Sequence, residues 1–147
     1  MTKKDSIFTL TKTFRFEAAH RIAKGYKGKC KHIHGHSWNG KLTVECNSTD
    51  NYGMGVDFGV IKQFLTQIED YFDHKLILYK QDSQLIDLCQ QQGWEVVVFD
   101  DDNPTSERIA RYIYEQAVDY FMQQQIDCKV ASVTMCETCT SSCVWFG

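Results

Sequence analysis

The 147-residue chain has little of several features that mark special classes of protein. It has one proline and nine glycines, so it contains no long linker or low-complexity segment. It has no basic excess: the formal net charge is -3, which argues against a general nucleic-acid binder. No apolar run approaches the roughly 18 residues of a membrane span, and no signal-peptide core follows the N-terminus. We therefore expect one soluble globular domain over residues 1–147, with neither nucleic acid nor a membrane as partner.

Histidine and cysteine stand out among the residues that are present. The seven cysteines cannot all pair within one chain, and the lack of a secretion signal indicates a reducing, cytoplasmic compartment. There, cysteine and histidine point to metal binding or catalysis before disulfide bonds. The tail motif Cys136-x-x-Cys139-x-x-x-Cys143 resembles half of a metal site or a redox pair. No second Cys-x-x-Cys completes a structural zinc site, so packing is the favoured interpretation.

Alternation of apolar and polar residues, the pattern of a half-buried strand, marks three segments of the chain, and a short β-branched run indicates a fourth strand. The strands predicted in this way are Ile7–His20, Trp38–Cys46, Trp94–Phe99 and Lys129–Thr138, with a short extension at Val144–Phe146.

A different period, with apolar residues at three- and four-residue steps, predicts the helices. The first runs from Phe58 to about Phe72 with Asp57 as its N-cap, and the second begins at 103–107, with a proline in its first turn. An extra helix is expected over Asp82–Gln92. The order of elements predicts an α+β fold, in which two main helices cover one face of a four-stranded, largely antiparallel sheet.

The segment 30–36 has the spacing of a metal site. Residues two apart on a strand point to the same side, so two imidazoles from His32, His34 and His36 can reach one ion. His20 lies on the apolar side of the first predicted strand, and pairing of the first two strands would add a third imidazole. Three histidines leave the fourth position of Zn²⁺ open, as in catalytic sites, although imidazole also suits Cu, Fe and Ni. The spacing leaves open whether His32 or His36 joins His34.

Acid, base and thiol groups occur near the ends of the predicted elements. Glu137 continues the apolar face of the last strand, where it either emerges into solvent or binds a ring edge with adjacent N–H and NH₂ donors. Asp73 can orient His74 for proton transfer, although a helix C-terminus also favours a histidine by itself. Cys30 lies close to the histidines, and a thiol beside a metal ion can act as a base or a nucleophile.

Five motifs, taken together and in this order, resemble the 6-pyruvoyl-tetrahydropterin synthase superfamily. They are Phe16-Glu17-Ala18-Ala19-His20, Cys30-x-x-x-His34-Gly35-His36, Phe72-Asp73-His74, Asn103-Pro104-Thr105-Ser106-Glu107 and Glu137-Thr138. The three-residue gap after Cys30 and the ending Glu137-Thr138-Cys139-Thr140 are most similar to the bacterial 6-carboxytetrahydropterin synthase branch, which serves queuosine and other 7-deazapurine biosynthesis. The resemblance spans Phe14 to the C-terminus, and Tyr79–Phe99 is longer than in compact members.

This resemblance implies a tunnelling (T-) fold, whose subunits join through their sheets into barrels, often as hexamers of stacked trimers with active sites between subunits. It also implies a role for each candidate residue. The implied roles are zinc ligands for His20, His34 and His36, base for Cys30, assisting dyad for Asp73 and His74, pterin anchor for Glu137, and pterin contacts for Thr105 and Ser106. His32 is then left out of the metal site.

The activity implied by the resemblance is zinc-dependent conversion of 7,8-dihydroneopterin triphosphate to 6-carboxy-5,6,7,8-tetrahydropterin, acetaldehyde and triphosphate. Two alternatives remain at this stage. One is a 6-pyruvoyl-tetrahydropterin synthase or another lyase acting on a pterin side chain. The other is a non-catalytic relative that binds zinc or a pterin.

Overall fold

The computed structural model describes residues 8–23 and 25–147, so Ile7, where the first predicted strand begins, lies outside the described residues. The described chain forms six strands in a single sheet and three α-helices. The strands are β1 (Phe8–His20), β2 (His34–Cys46), β3 (Lys75–Tyr79), β4 (Val96–Phe99), β5 (Lys129–Thr138) and β6 (Ser141–Phe146). The helices are α1 (Phe58–Phe72), α2 (Ser83–Gln92) and α3 (Ser106–Gln123).

The strand order β4-β3-β1-β2-β5-β6 confirms the α+β class but corrects the predicted four-stranded sheet to six strands. β1, β2, β5 and β6 pair antiparallel, whereas β3 joins β1 in parallel and β4 joins β3 in parallel. β3 escaped prediction because Ile77 and Leu78 are adjacent and both fully buried, so the alternation of a half-buried strand is missing. β6 extends the predicted tail strand toward its N-terminal side.

The helix signals match the observed ends closely. The carboxylate of Asp57 accepts a hydrogen bond from the Gly59 amide at 2.6 Å, which confirms it as the N-cap of α1. The N-cap of α3 is Thr105, so Pro104 precedes the helix and does not occupy its first turn as predicted. The Pro104 carbonyl therefore lies outside the helix, where it can accept a hydrogen bond from a side chain.

The core lies between the sheet and the helices and is built on the alternating faces of β1 and β2. Trp38 and Leu42 of β2 are fully buried, and Phe16 of β1 stacks on Phe72 at the end of α1. The Trp38 indole donates a hydrogen bond to the Ala18 carbonyl at 3.2 Å. The buried face of β1 continues to His20, which is only 1% exposed. The core therefore supports the end of the sheet that carries the histidines.

Cys46 and Cys128 form a disulfide, so the preference for free thiols over disulfides does not hold for this pair. Glu45 and Lys129 are the last pair in the ladder between β2 and β5. Cys46 and Cys128, which flank this pair, therefore meet at the end of the ladder. The remaining cysteines are free: Cys30, Cys89, Cys136, Cys139 and Cys143. Among the described residues, no helix is both long and apolar enough to cross a membrane.

Candidate metal centre and active site

Three imidazoles meet where β1 ends and β2 begins. His20, the last residue of β1, pairs with His34, the first residue of β2, and His36 follows on the same side of the strand. The Nε2 atoms of His20 and His34 lie 3.1 Å apart. Together with Glu137 of β5, these side chains offer four ligand atoms that all lie within 4.8 Å of one another. The structure thus assembles the three histidines that the family resemblance implies as metal ligands.

Backbone carbonyls orient two of these rings. Nδ1 of His20 lies 2.7 Å from the Pro104 carbonyl oxygen, and Nδ1 of His34 lies 2.7 Å from the His32 carbonyl oxygen. Because a carbonyl only accepts hydrogen bonds, each Nδ1 carries a hydrogen, and in this tautomer of the neutral imidazole Nε2 has a lone pair free for a ligand bond. Two lone pairs at this distance repel unless a cation lies between them. Carbonyl-anchored imidazoles of this kind are typical of metal ligands.

His36, the third imidazole of the cluster, has a ring nitrogen without a hydrogen-bond partner. Its Nε2 is buried and makes no hydrogen bond, although Oε1 of Glu137 lies 3.4 Å away. A buried nitrogen without a partner is rare in folded proteins, and a bond to a metal ion would satisfy this one. Burial lowers the pKa of His36, and burial likewise lowers the pKa of His20 despite the hydrogen bond to Pro104. A lowered pKa favours the neutral ring, which is the form that binds metals.

His32 does not enter the cluster. Its side chain is exposed, and its contribution is the backbone carbonyl that accepts the hydrogen bond of His34. Sequence spacing left His32 and His36 equivalent because both share the side of His34. The strand begins only at His34, so His32 lies before the region in which that alternation operates.

Cys30 lies in a single 3₁₀ turn, Lys29–Lys31, before β2. The Cys30 carbonyl accepts a hydrogen bond from the Ile22 amide at 2.8 Å, and the next amide, that of Ala23, donates to Oδ1 of Asn103 at 2.9 Å. A cavity of about 390 Å³ is lined by Cys30 together with His20, Asn103, Thr105, Ser106 and Glu137. The structure therefore brings the predicted base, pterin contacts and anchor to one cavity.

Asn103 is a site residue that sequence reasoning did not single out. It was part of a motif used only to recognise the start of α3 and the family. Its side chain holds the segment that leads to Cys30, and its neighbour Pro104 holds His20. The signal in the sequence was an asparagine directly before a proline, because the asparagine side chain can hydrogen-bond to the backbone of another segment.

Asp73 and His74 form a dyad attached to β1 between α1 and β3. Oδ2 of Asp73 lies 2.7 Å from Nδ1 of His74, and Oδ1 accepts a hydrogen bond from the Glu17 amide at 2.8 Å. The His74 amide donates to the Glu17 carbonyl at 2.6 Å, with His74 at φ 59, in the left-handed region. The Glu17 amide, followed by the His74 ring, lowers the pKa of Asp73. The carboxylate is thus held ionised beside an imidazole that is largely exposed.

His74 of the dyad lines a second cavity, of about 730 Å³, together with Glu17, His36, Ser37 and Trp94. Cys30 lines the smaller cavity and His74 does not, so the structure of one chain does not bring Cys30 and His74 into the same cavity. Fold and site together define an α+β protein with a histidine cluster that could hold a metal ion and a thiol lining the same cavity as His20.

The comparison with known proteins identifies the family. Residues 9–147 match the 6-pyruvoyl tetrahydropterin synthase family, and the chain belongs to that family. A protein named 6-carboxy-5,6,7,8-tetrahydropterin synthase from Rickettsia bellii is 33% identical over 116 residues, covering 78% of this chain and 83% of its own length. A protein of the same name from Synechocystis is 31% identical over 145 residues, covering 95% of this chain and 94% of its own length.

Solved structures show the same fold. An uncharacterised protein from Wolinella succinogenes superposes with a TM-score of 0.78 at 21% identity, covering 95% of this chain and 98% of its own. A 6-pyruvoyl tetrahydropterin synthase from Plasmodium vivax superposes with a TM-score of 0.72 at 20% identity, covering 96% and 98%. The family and fold predictions are therefore confirmed, and the chain is an enzyme of the tetrahydropterin synthase type.

Proposed function

We propose that this chain is a 6-carboxy-5,6,7,8-tetrahydropterin synthase. It acts in the cytoplasm, as one domain over residues 1–147, on 7,8-dihydroneopterin triphosphate, and its product enters queuosine or other 7-deazapurine biosynthesis. The observation that carries the proposal is the cavity in which Cys30, the metal ligand His20 and the acid Glu137 face one space. The curated relatives that carry this enzyme name support the choice of reaction.

The metal site would hold Zn²⁺ through His20, His34 and His36. A bound zinc ion supplies Lewis acidity, which acidifies the C–H bonds beside the hydroxyls of the substrate side chain. The Cys30 thiolate moves a proton between side-chain carbons, and His74, oriented by Asp73, provides the complementary acid and base.

The pterin ring is held by groups at the rim of the same cavity. The carboxylate of Glu137 accepts hydrogen bonds from the adjacent N–H and NH₂ donors of the ring. Thr105 and Ser106, at the start of α3, line the cavity, and their backbone groups complete the contacts. Elimination of triphosphate and hydrolytic cleavage of the side-chain carbon–carbon bond, which consumes one water molecule, then give the carboxylated pterin and acetaldehyde.

The separation of the two cavities supports the proposal that subunits assemble. His74 has a side chain that is 80% exposed and lines a different cavity from Cys30. A homo-oligomer in which the dyad of one subunit closes the Cys30 cavity of its neighbour would unite the two groups. The family resemblance favours a hexamer for this assembly.

Product analysis tests the proposed reaction directly. The purified protein is incubated with 7,8-dihydroneopterin triphosphate, and the pterin, acetaldehyde and triphosphate are identified by mass. Triphosphate release without acetaldehyde would instead indicate a 6-pyruvoyl-tetrahydropterin synthase or a related lyase. Binding without any release would indicate a non-catalytic relative.

The assignment of Cys30 is tested by comparing two cysteine variants. Cys30→Ala should keep its metal and its fold but lose turnover, because the proton acceptor is gone. Cys89→Ala removes a free thiol in α2 and should retain turnover. A wild-type rate for Cys30→Ala would overturn the role of base.

A further inference from the structure

The carboxylate of Glu137 is aimed at the histidines by an irregularity in β5. In the β5–β6 ladder, Cys136 pairs with Ser142 and Thr138 pairs with Ser141, so Glu137 is an extra residue on β5. A bulge of this kind re-aims one side chain and is common beside active sites. Here it brings Oε1 of Glu137 to 3.2 Å from Nε2 of His20 and 3.4 Å from Nε2 of His36.

Three of the six distances between the four ligand atoms match those of a tetrahedral metal site. Zinc bonds of about 2.0 to 2.2 Å in a tetrahedron place neighbouring ligand atoms roughly 3.3 Å apart. The distance from His20 to His34 is 3.1 Å, and the distances from Glu137 to His20 and His36 are 3.2 and 3.4 Å. Because His20 gives its Nδ1 hydrogen to Pro104, a neutral His20 ring has no hydrogen on Nε2 to donate to the carboxylate. A shared cation explains the contact.

We propose that Glu137 is the fourth metal ligand in the substrate-free protein and that the pterin ring withdraws this carboxylate from the metal. The second half rests on the proposed function, in which Glu137 anchors the ring. A fourth protein ligand closes the site, whereas a catalytic site needs an open position. Binding of the substrate ring thus opens the coordination position that the side-chain hydroxyls of the substrate then occupy. The metal has an open position only when a pterin is bound.

The exchange makes a thermodynamic prediction. If one carboxylate serves either the metal or the ring, a pterin without side-chain hydroxyls must lower the metal affinity, and the metal must lower the affinity for that pterin by the same factor. 6-Methyl-7,8-dihydropterin is such a probe, because it carries the ring but no hydroxyl. A pterin with side-chain hydroxyls supplies replacement ligands and should show a smaller loss.

The ligand role is tested by zinc affinity, measured by competition with a chromophoric chelator on the assembled full-length protein. Glu137→Gln should bind zinc about 10- to 100-fold more weakly, the range seen when a metal site loses a supporting group. Glu107→Gln removes the same charge from the same cavity but lies outside the cluster, and should match the wild type. Equal affinities of Glu137→Gln and wild type would overturn the ligand assignment.

The exchange is tested on the wild-type protein, with Glu137→Gln as the comparison for zinc affinity. The visible bands of the Co²⁺-loaded protein should change when 6-methyl-7,8-dihydropterin binds, and zinc affinity should fall in the wild type but not in Glu137→Gln. Pterin binding without either change would overturn the exchange. If the wild-type protein binds no pterin, the proposed function and the exchange both fail, while the ligand assignment is still decided by the zinc affinities.

Discussion

Nδ1 of His20, at the end of β1, lies 2.7 Å from the backbone carbonyl oxygen of Pro104, which immediately precedes the N-cap of α3. This hydrogen bond joins residues far apart in sequence and leaves Nε2 as the ring nitrogen that faces the histidine cluster. The neighbouring Asn103 holds the segment that leads to Cys30 through the Ala23 amide. The start of α3 therefore supports both His20, a proposed metal ligand, and Cys30, the proposed base.

The first prediction separates the two histidines that spacing could not distinguish. His34→Ala should lose the bound metal, because one of three imidazole ligands is removed. His32→Ala should retain it, because its side chain is exposed and the carbonyl that orients His34 remains. The metal content of the purified variants tests this prediction. Loss of metal in His32→Ala but not in His34→Ala would show that His32, and not His34, is a ligand.

The parts of this site that the sequence predicted depend on local patterns. Alternation places His20, His34 and His36 on one face of the paired strands β1 and β2. This two-residue periodicity can be recognised in the sequence without long-range information. The contacts of Pro104 and the disulfide of Cys46 depend on register between distant strands and helices, which no local pattern encodes. The family motifs supplied the choice among histidines that periodicity could not make.

The second prediction concerns the ion pair that ties α2 to the end of β1. Arg21, next to His20, donates two hydrogen bonds of 2.6 Å to the carboxylate of Asp82, whose side chain is 6% exposed. Asp82→Ala should lower the free energy of unfolding by roughly 2 to 3 kcal/mol, because it leaves a half-buried guanidinium without its partner.

Asp100→Ala provides the matched control in chemical denaturation. Asp100 pairs with Lys80 at 3.7 Å, and both side chains are largely exposed, so its removal should cost less than about 1 kcal/mol. Equal losses of stability in the two variants would show that the Arg21–Asp82 pair is no stronger than a surface pair.

The third prediction uses the acid dependence of the dyad. The Glu17 amide and the His74 ring lower the pKa of Asp73 below its ordinary value of 3.8. A carboxyl group with a lowered pKa in the folded state stabilises the fold above its ordinary pKa, and this contribution is lost as the pH falls through the lowered value. The difference in Tm between wild type and Asp73→Asn should therefore narrow as the pH falls below about 4.

Asp70→Asn, an exposed change on α1, is the control for this acid titration. It should leave the Tm close to that of the wild type between about pH 5 and pH 3, since exposed surface substitutions have small effects. A Tm difference for Asp73→Asn that stays the same throughout this range would contradict the assignment of a stabilising, ionised Asp73.

The fourth prediction tests Asn103 as a positioning residue for Cys30. Its Oδ1 accepts a hydrogen bond from the Ala23 amide at 2.9 Å. The preceding amide, that of Ile22, donates a hydrogen bond to the Cys30 carbonyl at 2.8 Å. Asn103→Ala removes the acceptor, so Cys30 should shift from its working position and kcat/KM should fall about 10- to 100-fold.

Asn103→Asp is the informative partner because it keeps an oxygen at the same place. It should restore most of the activity lost in Asn103→Ala, and both variants should keep their metal, since His20 is held by Pro104. The rate at which iodoacetamide alkylates Cys30 gives a readout independent of turnover, and it should change in Asn103→Ala but stay near the wild-type rate in Asn103→Asp. Loss of metal in Asn103→Ala would instead assign Asn103 to the integrity of the metal centre, because a displaced Cys30 by itself leaves all three imidazoles in place.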